Sequence, residues 1–156
     1  MTQRGTKSFI VDTTELEKMA AALSVTDQIV QSEMVPGMRQ AGEAVRDAAV
    51  AHIHNRSGEL AASGRAEITA TGQTVECRVR FGAKYAFWVE EGRGPVVAKG
   101  RALRFVIGGV TLFRKRVGPA AGVHYLRKGY EDAKGRVDAI LRQTADRIAR
   151  RIEAAI

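Results

Sequence analysis

The sequence predicts an α+β fold, with N-terminal helices and a long C-terminal helix packed on a small antiparallel sheet of about four strands. Three observations carry that expectation. Apolar residues recur at helical spacing between residues 15 and 53, and again from Val137 to Ile156. Between those stretches, two segments alternate apolar and polar residues with a period of two. Further on, Gly108-Gly109 divides an apolar run where a two-residue hairpin turn belongs.

The elements follow in order. Residues 1–12 are expected to form a flexible arm, and residues 13–156 a single α+β domain. Thr13 or Thr14 can cap a first helix, with Glu15 and Glu17 in the turn where carboxylates favour the helix dipole. Leu16, Met19, Ala20 and Leu23 share one face. Ser24 to Thr26 offers a break and a fresh cap before Ile29, Val30 and Met34. Pro36-Gly37 predicts a kink or a boundary, because a proline ring removes a hydrogen bond and crowds the preceding turn. Met38, Ala41, Val45, Ala48, Ala49, His52 and Ile53 resume the helical face as far as the turn at 55–58.

Strand character then takes over. Ala66, Ile68 and Ala70 alternate with Glu67 and Thr69; after Gly72-Gln73, Val75, Cys77, Val79 and Phe81 alternate with Glu76, Arg78 and Arg80. The two runs predict an antiparallel hairpin, apolar on one face and charged on the other. Tyr85–Glu91 is expected to be a short helix or turn over the hairpin's end. Leu103, Phe105 and Ile107 begin a second hairpin that returns through Val110, Leu112 and Arg114, and residues 118–122 read as a loop. Val137, Ile140, Leu141, Ile148, Ile152 and Ile156 form the stripe of an amphipathic last helix.

Composition narrows the function. The chain has 156 residues, a formal net charge of +8 and a single cysteine, Cys77. One cysteine forms no internal disulfide and supplies no metal framework. No apolar run approaches the roughly 20 residues a membrane span needs, and no secretory signal is expected. His52 and His54 stand two apart and His124 is distant, which does not favour a metal site. Glu90-Glu91 is expected to be a solvated or arginine-paired acidic spot. With no nucleophile elbow and no phosphate loop in the sequence, neither catalysis nor a cofactor is expected.

The charge is unevenly spread. Residues 1–78 sum to −2 and residues 79–156 to +10. From Gly92 to Tyr130 there is no Asp or Glu, while nine Lys or Arg appear. Arg93, Lys99, Arg101, Arg104, Arg114, Lys115 and Arg116 make the region 92–122 a candidate basic surface. Two readings stay open: a solvated face that serves solubility, or a surface for nucleic acid, an acidic partner or further copies of the chain. Trp88, the only tryptophan, is expected to be mostly buried beside the hairpin, where truncation costs about 3–5 kcal/mol.

The order of these pieces resembles the neck or tail-completion proteins of long-tailed phages, the head–tail joining group akin to lambda's Z protein. The likeness rests on Ser57-Gly58-Glu59-Leu60 at a turn, on Tyr85-Ala86-Phe87-Trp88-Val89-Glu90-Glu91-Gly92 as the signature segment, and on Pro119 through Leu126 followed by Gly129-Tyr130-Glu131-Asp132-Ala133 at the last helix. It departs from the family pattern by serine in place of threonine at the turn, and by Asn55-Arg56 where a proline often stands. The resemblance implies a virion protein without an active site, forming a ring at the head–tail interface after assembly in the host cytoplasm. The implied partners are copies of itself, head-completion connector or stopper proteins, and tail terminator or tail-tube proteins, with contact to packaged DNA and none to membrane. A tail terminator ring, or a nucleic-acid-binding protein using the basic C-terminal half, are the alternatives.

Overall fold

The computed structural model describes residues 14–54, 58–72 and 74–155; the expected arm at 1–12 and Ser57 lie outside them. The first helix, α1, runs unbroken from Thr14 to Ala51. Neither expected interruption divides it. At the first, the Thr26 hydroxyl donates to the Ala22 carbonyl at 2.9 Å, back into the same helix, instead of capping a new one. At the second, Pro36 lies exposed inside the helix. Its missing N–H costs one bond of the ladder, and packing on both sides of the residues that follow keeps the helix going.

The last helix, α4, spans Tyr125–Glu153 and runs antiparallel along α1. Small side chains set the contact. Ala41, Ala44 and Ile140 form one buried cluster with Val137 and Leu141 against it. Gly129 lies so close to Ala49 that a side chain there would come within 2.7 Å of the Ala49 methyl. At the other end, the Glu33 carboxylate accepts from Arg151 Nη1 at 2.8 Å and Arg147 Nε at 3.0 Å. These two bonds, first from Arg151 and then from Arg147, hold the Glu33 carboxyl below its ordinary pKa.

The predicted first hairpin is present as β1, Gly64–Thr71, paired with β2, Thr74–Phe81. Its apolar face lies on α1, where Gly42 leaves room for Cys77 and Ala66. Burial pushes the Cys77 thiol pKa up, consistent with a small packed residue. A one-turn helix α2, Glu59–Ala62, precedes the hairpin and buries Leu60 completely. Leu60 joins Ala49, Ala86 and Tyr125 in the second core cluster.

The expected sheet of about four strands does not form. The remaining strands, β3 (Gly92–Arg93), β4 (Val96–Val97), β5 (Leu103–Ile107), β6 (Val110–Arg114), β7 (Arg116–Val117) and β8 (Ala120–Ala121), pair only among themselves. The α+β class holds, but its β part is two separate two-stranded ribbons. No helix among the described residues is long and apolar enough to cross a membrane.

Candidate functional site

Strands β3 to β8 nest into one long ribbon. Gly92 opposes Ala121 and Arg93 opposes Ala120; Val96 then opposes Val117, and Val97 opposes Arg116. Further out, Leu103 opposes Arg114 and Ile107 opposes Val110. Between these two ladders, residues 98–102 on the outgoing strand face Lys115 alone on the return, and the Ala98 amide donates to the Lys115 carbonyl at 2.9 Å. The predicted turn closes the ribbon: Gly108 and Gly109 both have positive φ, 59° and 81°, as a tight hairpin of this twist requires. The segment 118–122, expected as a loop, supplies β8 and the inner end of the return strand.

The ribbon is rooted in the junction between a short helix, α3 (Ala86–Glu91), and α4. The Val123 amide donates to the Val89 carbonyl at 2.8 Å, and the His124 amide to the Glu90 carbonyl at 3.1 Å. The Glu90 side chain adds two further bonds, Oε2 accepting from Leu126 N at 2.9 Å and Oε1 from Arg127 N at 3.3 Å. Glu90 is therefore neither a solvated nor an arginine-paired spot. His124, at the N-cap position of α4, makes no side-chain cap bond, and Glu90 supplies that bond from the neighbouring helix, with its charge at the positive end of the α4 dipole. Gly92 opens the ribbon at φ 88°. A side chain there would press within 2.7 Å of the Ala120 carbonyl oxygen and the Gly122 amide nitrogen, so this position needs glycine.

Tyr125 completes the root. Its ring meets Phe81 edge-on at 4.9 Å between centroids, and its hydroxyl lies 3.5 Å from the Ala86 carbonyl. Burial, and then the charge of Glu90, push its pKa up to about 12. The signature residues thus divide by role. Gly58 takes a left-handed turn before α2, Leu60 and Ala86 are core, Tyr85 and Val89 pack against that core, and Glu90 and Gly92 fix the root.

Trp88 departs from expectation. It is 54% exposed, and Phe87 beside it 69%. The cause is helical geometry. Over one and a half turns, Ala86, Val89 and Glu90 face the core, which turns positions 87, 88 and 91 outward. Trp88 forms one side of a shallow cleft of about 330 Å³, with Tyr85, Val89, Arg93, Ala121 and Val123 around it. Trp88→Ala is therefore expected to cost less than about 1 kcal/mol in urea unfolding, not the larger loss of a buried ring. A measured loss near 3 kcal/mol would return the indole to the core.

Beyond its root the ribbon has two levels. Lys99, Arg101, Arg104, Arg114, Lys115 and Arg116 are all exposed and cluster where the outgoing strand bulges. Among the described residues none of them has an ion-pair partner. Arg93 stands apart, at the root, with its Nη1 3.5 Å from the Gly118 carbonyl. Residues 105–112, outward of this collar, and Phe113, abreast of Arg104, carry no charge at all. Val106, Val110 and Phe113 there are 58%, 60% and 59% exposed, and Ile107 is also exposed. The ribbon's outer strands contact chiefly one another. Sequence reasoning identified the basic residues but missed the apolar tip, although the uncharged run 105–113 was its visible signal.

Among the described residues, Glu90, Glu91 and His124 place one ligand atom each within 4.8 Å of one another. Both Glu90 oxygens already accept α4 amides, so the group is explained as a helix cap and no metal is assigned. His52 Nε2 lies 2.7 Å from Asp132 Oδ2, tying the end of α1 to α4.

Comparison with protein-family models, curated proteins and solved structures finds no match to this chain.

Proposed function

We propose that this chain is a structural subunit of the phage head–tail joint, a neck or tail-completion protein that assembles into a ring between the capsid connector and the tail tube. The observation that carries the reading is the apolar tip of the rooted ribbon, a group of large side chains without cover in the single subunit. Exposed apolar groups of this kind mark protein contact. Covering the exposed surface of Val106, Ile107, Val110 and Phe113, a little over half of each residue, would release about 3–7 kcal/mol before the costs of association. An arm that leaves its own core and ends in such a tip suits head-to-tail contact between copies, which closes into a ring when the rotation permits. The order of the signature segments supports the same reading, and their residues build the root that aims the arm.

In this proposal the protein acts in the virion, at the head–tail interface, with copies of itself and with connector, stopper, terminator or tail-tube proteins as neighbours. The test is incorporation. Wild-type protein should restore joined, infectious particles to lysates that lack it. A variant carrying Ile107→Asp and Val110→Asp should remain folded by circular dichroism yet stay out of particles. Joined and infectious particles formed without the protein, or normal incorporation of the double variant, would defeat the reading.

A further inference from the structure

We infer that the cation collar is a binding site for the phosphate backbone of duplex DNA, functionally separate from the apolar tip. Six cations stand at one level of the ribbon with no ion pair among the described residues, and the chain has no carboxylate from Gly92 to Tyr130. Their arrangement selects the partner. Arg114 opposes Leu103 and Arg104 opposes Phe113, in neighbouring pairs of one ladder. Successive pairs of a ladder point to opposite faces, so the two guanidiniums leave the ribbon in opposite directions. Lys99 and Arg101 lie in the bulge beside them.

Charge presented on both faces does not match an acidic protein surface, which meets one face. It does match a groove with phosphates along both walls. The major groove of duplex DNA is about 12 Å wide and admits a two-stranded ribbon. The collar holds no Asn, Gln, Asp or Glu for adenine or cytosine edges, and its cations are assigned to the phosphate backbone, where contact is independent of sequence. Arg104 on the outgoing strand and Arg114 and Arg116 on the return are exposed strand residues, with exposed Lys115 between the last two, so their guanidinium and ammonium groups reach phosphate without rearrangement of the core. The inference does not depend on ring formation, because the tip and the collar occupy different residues.

The experiment measures binding of the full chain to a 30-base-pair duplex of random sequence across a salt series, with polyglutamate as the acidic-protein probe. Six phosphate contacts give a slope of log K against log salt near −5, which is about a thousandfold loss between 50 and 200 mM salt. Arg104→Ala, Arg114→Ala and Arg116→Ala should each reduce the slope by about 1, with unchanged circular dichroism. Arg127→Ala with Lys128→Ala, on α4 outside the collar, should leave it unchanged. The inference is overturned by no retention of duplex at 50 mM salt, by polyglutamate binding at least as tightly as duplex, or by a slope that responds equally to the α4 pair. A neutral tip variant, Ile107→Ser with Val110→Ser, adds no carboxylate beside the collar and should bind duplex like wild type, so collar binding fails or succeeds independently of the ring reading.

Discussion

Gly129→Val should lower the unfolding free energy by about 3 kcal/mol, while Gly135→Ala in the same helix should raise it by about 1 kcal/mol. Both glycines lie within α4, where glycine is a poor helix former. What differs is the space around them. At Gly135 a methyl group would meet nothing within 4 Å, so only the gain in helix propensity remains. At Gly129 it would meet the backbone and methyl of Ala49, and backbone cannot rotate aside as a long side chain can. Valine also adds two methyl groups to the narrowest part of the α1–α4 contact. Urea unfolding of both variants gives the comparison. If Gly129→Val proves neutral, the two helices do not cross as closely as the packing requires.

Leu60→Ala should cost about 3 kcal/mol, within the range for leucines removed from cores. Leu60 has no exposed surface and sits between Ala49, Ala86 and Tyr125. Those neighbours are already small or held by hydrogen bonds and ring packing, so the site has little capacity to collapse into the vacated volume. Leu60→Met, which conserves volume, should cost less than about 1.5 kcal/mol. The loss should also be felt at the ribbon's root, because Ala86 begins α3 and Tyr125 begins α4. Hydrogen exchange at the Val123 and Leu126 amides should quicken in Leu60→Ala. Unchanged exchange there, with full loss of stability, would separate the core cluster from the root.

Much of the architecture was legible from periodicity alone. The period of two over residues 66–81 located β1 and β2, and the stripe from Val137 located α4, although its first three turns, from Tyr125, carry their packing on Gly129 and Ala133, which a hydrophobic pattern underweights. Pro36 and Thr26 misled for a common reason. Local signals for breaking a helix are worth a few kcal/mol at most, and a long contact with α4 and the hairpin outweighs them. The four-stranded sheet was not legible as two ribbons, because pairing register depends on which strands meet, and the excess of residues 98–102 over Lys115 leaves no local signature.

The candidate site was legible in its chemistry and not in its division of labour. The basic residues were plain in the sequence. The exposure of Trp88 was not, since aromatic residues beside apolar neighbours read as core until the phase of a six-residue helix is known. The role of Glu90 was equally hidden, because a carboxylate that caps a helix 35 residues further on leaves no mark in its own surroundings.

The one-ended anchorage of the ribbon has a mechanical consequence. Tension applied to the tip along the ribbon pulls both strands together, so the rungs between them bear little of it. The load passes instead to the contacts among Val89, Glu90, Val123 and Leu126, and from there into the axis of α4. A displacement felt at the far end of the arm is thus delivered to the longest contact in the molecule, and the two-helix body moves as the arm's lever.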